Sequence, residues 1–240
     1  DLNNFDDYQR AFISNISHDF RSPLTSIHGY AQAMLDGTIP YEAQEKYLNI
    51  ILSETDRLTN LTSNLLELNS FNGDNVLLDI TTFNICETIV QTVNTLEGTA
   101  AKKEISFVLD YNTQKELLVE ADESKIHQVL YNLIDNAVKF SHNNSEIKIS
   151  LRKKGAKVFV SVKDSGIGIP KESLNKVFDR FYKTDISRGK DKRGTGLGLS
   201  ISKEIIQAHN QTINVVSTVD VGTEFVFTLK YHSKKQEASS

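Results

Sequence analysis

Tryptophan does not occur in this 240-residue chain, and cysteine and methionine occur once each. The lone Cys86 cannot close an internal disulfide, and its surroundings, FNICETIV, read as the buried face of a helix. It is therefore read as a reduced packing cysteine, in keeping with a cytosolic compartment. No apolar run approaches the ~20 residues needed to span a bilayer, so this segment itself is expected to make no membrane contact. No secretory signal begins the chain. Its first residues, DLNNFDDYQR, read as the middle of a helix, which points to a piece of a longer protein. A net charge of −4 and no long basic run before the tail argue against a nucleic-acid partner. The 39% hydrophobic fraction suffices for a packed core in one or two domains and excludes general disorder.

Apolar residues recur three or four apart at Phe5, Tyr8, Phe12, Ile16, Phe20, Leu24, Ile27, Ala31 and Met34. That spacing predicts an amphipathic helix over about Asn3–Asp36. His18 lies two positions from both Ile16 and Phe20, roughly 200° around the axis, and so points to water with Asp19 beside it. An exposed His–Asp pair does nothing for packing and makes sense as chemistry. Pro23 is expected to interrupt this helix, because it removes a backbone donor. Asp36–Pro40 reads as a loop, and Ile51, Leu58, Leu61, Leu65 and Leu68 mark a second amphipathic helix. Two such helices bury one seam only. A second copy of the hairpin would complete a four-helix bundle; packing on the downstream domain is the alternative.

The turn-forming NSFNGD at 69–74 marks a boundary, giving a hairpin at 1–71, a linker at 72–83, a second domain at 84–232 and a disordered tail at 233–240. Asn84 and Glu87 resemble a capping box opening a helix to about Ala100. Strands are expected at Ile105–Asp110, Leu117–Glu120, Ile147–Arg152, Lys157–Val162, Ile213–Ser217 and Glu224–Tyr231, with helices from Asp122 to about Phe140 and from Leu199 to His209. The fold class is thus an all-α hairpin followed by an α+β sandwich.

Two glycine segments, DSGIGIP at 164–170 and GTGLGL at 194–199, flank a charged stretch, Lys183–Arg193, that reads as a basic lid. Glycines let backbone approach a ligand, and the second segment enters a helix whose N–H groups can cradle phosphate. Asn132, Asn136 and Lys139 stand at i, i+4 and i+7 on one helix face, with neutral oxygens suited to a hard cation beside an ammonium. No Walker loop and no HRD-type kinase loop is present. His28, His127, His142, His209 and His232 read as surface, capping, loop or helix-end residues without metal-ligand spacing.

The order SHDFRSPL at 17–24, the Asn132/Asn136 helix, DSGIGIP, FDRFY at 178–182 and GTGLGLS resembles a bacterial sensor histidine kinase over about residues 5–230. The resemblance implies a dimerisation and phosphotransfer hairpin joined to an ATP-binding sandwich of the gyrase and Hsp90 type. It implies autophosphorylation of His18 from ATP with Mg²⁺, and transfer to an aspartate of a response-regulator receiver domain, in a homodimer. It implies a cytoplasmic segment of a membrane-anchored sensor. Asp164 would bind the adenine amino group, Asn136 would ligate Mg²⁺, and Asn132 and Lys139 would lie near the phosphates. Gly166, Gly168, Gly194, Gly196 and Gly198 would shape the pocket, with Phe178, Tyr182, Thr195, Leu197 and Leu199 around it. Arg180, Lys183 or Arg188 would steady the γ-phosphate. Asp19 would orient the imidazole.

Two positions depart from common patterns. Superfamily ATPases carry a glutamate base one turn before the metal-binding asparagine; here Asn132 stands there, and an amide takes no proton from water. Many relatives carry Thr or Asn four residues after the histidine; Ser22 keeps only a hydroxyl and leaves phosphatase activity toward the regulator open. A superfamily ATPase or a protein-serine kinase would share the glycine loops but would not account for His18. A purely structural dimer would not account for the full set of nucleotide residues.

Overall fold

A computed structural model describes residues 2–71, 77–111, 116–184 and 194–233, with side chains from residue 13 onward. Helix α1 spans Leu2–Leu35 and helix α2 spans Gln44–Ser70, joined through a 3-10 turn at Tyr41–Ala43. The two helices pack as a hairpin in which the Tyr30 and Tyr47 rings meet at 5.1 Å. The expected break at Pro23 does not occur: α1 is one helix with Pro23 inside it. Proline leaves only the Asp19 carbonyl without its backbone donor, and burial of the ring offsets that single lost bond. The apolar stripe is also only partly covered. Leu24, Leu48, Leu52 and Leu66 of the hairpin are at least half exposed in the single chain.

The second domain is built on a seven-stranded sheet: β1 Thr81–Asn84, β2 Ser106–Asp110, β3 Leu118–Ala121, β4 Glu146–Lys154, β5 Lys157–Lys163, β6 Ile213–Thr218 and β7 Gly222–Tyr231. The order is β1-β3-β7-β5-β4-β2, with β6 also on β7. Among the described residues only β2 and β4 run parallel. Three α-helices among the described residues, α3 Ile85–Ala101, α4 Glu123–Phe140 and α5 Gly198–Ala208, pack with the sheet. Register puts Ile149, Val162 and Phe225 side by side, and likewise Leu151, Val160 and Phe227. These form one buried cluster with Ile126, Leu130, Leu133 and Ile134 of α4, each such side chain contributing roughly 1.5–3 kcal/mol by burial.

β1 corrects the reading of 72–83 as linker, because Thr81–Asn84 pairs antiparallel with Leu118–Ala121. Residues 72–76, 185–193 (with Arg188 and most of the expected lid) and 234–240 of the expected tail lie outside the described residues. The Asn84 cap holds, accepting from Cys86 N at 3.2 Å. Glu87 accepts from the Asn84 side-chain amide at 2.8 Å. The Asp122 carboxylate caps α4 through Lys125 N, and Lys103 Nζ donates to the carbonyls of Val138 and Lys139 at its other end. Among the described residues no helix is long and apolar enough to cross a membrane.

Candidate functional site

A cavity of ≈ 580 Å³ opens between α4, the two glycine segments and α2, within the range of small-molecule sites. Twelve of the residues singled out from sequence lie on its wall: Asn132, Asn136, Lys139, Asp164, Gly168, Tyr182, Lys183, Gly194, Thr195, Gly196, Gly198 and Leu199. Gly166, Phe178, Arg180 and Leu197 do not.

Asp164 is almost fully buried. Its Oδ1 accepts from Gly166 N at 3.0 Å and from Thr223 N at 3.2 Å, which leaves Oδ2 without a partner among the described residues. Burial pushes its carboxyl up to about 6, against the opposing pull of those backbone donors. One unshared acceptor oxygen on an almost fully buried carboxylate at the cavity wall fits an exocyclic amine.

Asp164 is held by β7, nearly sixty residues further along the chain. Gly222 sits at φ +139, where an added Cβ would stand 2.0 Å from the Asp164 carbonyl oxygen. Gly168 is as tightly placed, at φ +68 with an added Cβ 2.1 Å from Thr218 O. Only glycine fits either position. The VGT run after a two-strand turn was the available signal for Gly222.

On α4, Asn136 has no hydrogen-bond partner among the described residues, so its amide faces the cavity unengaged. Lys139 Nζ bonds Asp135 Oδ2 at 2.7 Å one turn back. Asn132 donates to Gly198 O at 3.1 Å and lies 3.3 Å from Ser202 Oγ, tying α4 to the start of α5. Among the described residues no group of three His, Cys, Asp or Glu could hold a metal. A magnesium ion here would therefore draw on Asn136 together with oxygens from a nucleotide and water, a donor set that suits it.

Of the 178–182 segment, only Tyr182 reaches the cavity wall; the residues before it pack behind it. Phe178 meets Phe225 edge-on at 6.1 Å, Phe181 N bonds Gly196 O, and Arg180 pairs with Glu204 of α5 at 3.4 Å. Tyr182 donates to Ser173 Oγ. Leu197 precedes α5 as a buried residue, and Gly166 bridges to Ser141 in the sheet manner.

His18 lies on α1 and is not one of the residues lining the cavity; 82% of its side chain is exposed and its Nδ1 stands 3.4 Å from Asp19 Oδ1. Asp19 itself is not exposed as expected: only 18% of its side chain meets water, because one helical step of ~100° turns it off the solvent face. Ser22, one turn on, is exposed.

Residues 8–73 match the family described as His Kinase A (phospho-acceptor) domain. Residues 121–233 match the family described as histidine kinase-, DNA gyrase B- and HSP90-like ATPase, a fold that binds ATP. The sensor histidine kinase WalK of Bacillus subtilis (strain 168) is 35% identical over 237 residues, 97% of this chain and 38% of that protein. The chain thus spans well under half the length of that relative. The catalytic domain of histidine kinase ThkA is 36% identical over 64% of this chain and 96% of its own, with a TM-score of 0.57. Histidine kinase ThkA in complex with response regulator protein TrrA is 31% identical over 94% of this chain and 62% of that one, with a TM-score of 0.75. With both family matches in order along one chain, and a relative's catalytic domain covered nearly whole at this identity, the chain belongs to the histidine kinases.

Proposed function

We propose that this chain moves the γ-phosphoryl group of ATP onto His18 and then onto an aspartate of a response-regulator receiver domain. The observation that carries the reading is His18 itself: an exposed imidazole whose Nδ1 faces a largely covered carboxylate, on a chain that also holds the Asp164 cavity. With Nδ1–H donating to Asp19, Nε2 carries the free lone pair. Nε2 attacks the γ-phosphorus, the bond to the β–γ bridging oxygen breaks, and ADP leaves with that electron pair. Asp19 steadies the positive charge that develops on the ring. The receiver's carboxylate then displaces the imidazole and takes the phosphoryl group.

Such a transfer asks for positioning and charge neutralisation more than covalent chemistry. Asp164 Oδ2 would accept from the adenine amine. Gly166, Gly168, Gly194, Gly196 and Gly198 would shape the cleft, with Lys139 and Lys183 supplying positive charge at the phosphates. Asn132 would act by fixing where α5 begins. Asn136 would hold Mg²⁺, which when bound offsets phosphate charge. The exposed Leu24, Leu48, Leu52 and Leu66 support a homodimer, since a second hairpin would cover them. The similarity to the ThkA–TrrA complex supports a receiver partner. Likeness to sensor kinases of much greater length supports a cytoplasmic segment of a membrane-anchored protein.

Purified chain given γ-labelled ATP should take up label that is acid-labile and base-stable, and should lose it to an added receiver domain. Acid-stable label would mean serine phosphorylation and overturn the reading. Mixing His18→Gln with Asn136→Ala subunits should restore labelling if the dimer phosphorylates across its subunits.

A further inference from the structure

The cavity is not made by the α/β domain alone. Asn60 and Asn64, one turn apart on α2, form part of its wall opposite Gln128, Tyr131 and Asn132 of α4. Neither side-chain amide has a hydrogen-bond partner among the described residues. The hairpin also sets their height: Tyr30 contacts Tyr47, so in the antiparallel pair His18, twelve residues before Tyr30, lies level with about position 59, next to Asn60.

α2 is fastened where this requires. Glu67 Oε1 accepts from Lys125 Nζ at 2.7 Å and Oε2 accepts from Gln128 Nε2, so both oxygens are engaged by the first turns of α4. Leu61 and Leu68 are buried in the same cluster as Ile126, Val129 and Leu130. Asn60, Asn64 and Glu67 stand at i, i+4 and i+7, one polar ridge beside the two leucines. None of the three belongs to the glycine or asparagine motifs.

We propose that Asn60 and Asn64 are nucleotide-contacting residues: their amides donate to the polyphosphate of the bound nucleotide, which thereby bridges the hairpin and the α/β domain at the height of His18. The Glu67 contacts hold the two parts in the register that this needs. The inference rests on reading the cavity as an adenine-nucleotide site.

The test is calorimetric titration of the full chain with a non-hydrolysable ATP analogue and, separately, with adenosine. Asn60→Ala/Asn64→Ala should weaken the triphosphate at least threefold while leaving adenosine affinity and the nucleotide-free melting temperature unchanged; alanine at helix surface positions does not threaten folding. Glu67→Ala, outside the cavity, should weaken the triphosphate in the same direction. Wild-type triphosphate affinity in the double variant overturns the proposal, as does an equal loss toward adenosine. Failure of the unmodified chain to bind either ligand overturns instead the reading of the cavity.

Discussion

The side-chain amide of Asn132 donates to the carbonyl oxygen of Gly198, 3.1 Å away, so the middle of α4 is pinned to the first residue of α5. The amide is a donor here, where a catalytic base would have to accept. Asn132→Asp would set a carboxylate against that carbonyl. The expected outcome is a loss of nucleotide affinity of about tenfold, from ~1–3 kcal/mol of unsatisfied polar contact, measured by titration with an ATP analogue. Asn132→Ala should lose less, because it removes the donor without adding a repulsive acceptor.

Asp164 should give nucleotide binding a pH dependence. An acid whose folded-state pKa stands above its unfolded value keeps a proton in the native state that the unfolded chain releases. Between the ordinary 3.8 and about 6 this group therefore costs stability as pH rises. Binding to an adenine amine needs the ionised form, so affinity should climb through pH 6 and level off above it. Asp164→Asn keeps an oxygen for Gly166 N and Thr223 N but turns an NH₂ toward the adenine amine. Its melting temperature at pH 7.5 should match or exceed the original, while nucleotide affinity falls more than tenfold and loses its pH dependence.

Gly168→Ala must bring a Cβ within 2.1 Å of Thr218 O at φ +68. Left-handed strain alone costs about 1–3 kcal/mol, and the β6–β7 turn has to move as well. Denaturant unfolding should show a lower midpoint, and nucleotide affinity should drop with it.

How much of this was legible in the sequence depends on the range of each contact. The exposed His18, the Asn132/Asn136/Lys139 face and the capped starts of α3 and α4 are local patterns, and spacing alone exposed them. The expected break at Pro23 was not found, because one missing donor is small against a 34-residue helix. β1 is four residues long, too short to show a period, so its sequence reads as linker. The Gly222–Asp164 contact and the α2 wall of the cavity join elements far apart in the chain, where no local spacing can announce them. Leu24 shows a further limit: amphipathic pattern marks an apolar face but not what covers it.

His209 makes the same point, for it read as an ordinary helix-end residue. Its Nε2 accepts from Asp122 N at 2.9 Å, while Nδ1 donates to Ile205 O at 2.8 Å. It thus joins the end of α5 to the capping residue of α4. His209→Ala should strand the Asp122 N–H and lower stability by about 1–3 kcal/mol, seen as a reduced denaturant midpoint with an unchanged slope.

His18 Nε2 is the proposed acceptor of the phosphoryl group. His18→Gln removes the nucleophile at an exposed position, where folding and ATP-analogue affinity should be untouched. Incubated with γ-labelled ATP beside the unmodified chain, the variant should take up no acid-labile label. Retention of such label by His18→Gln would contradict the assignment.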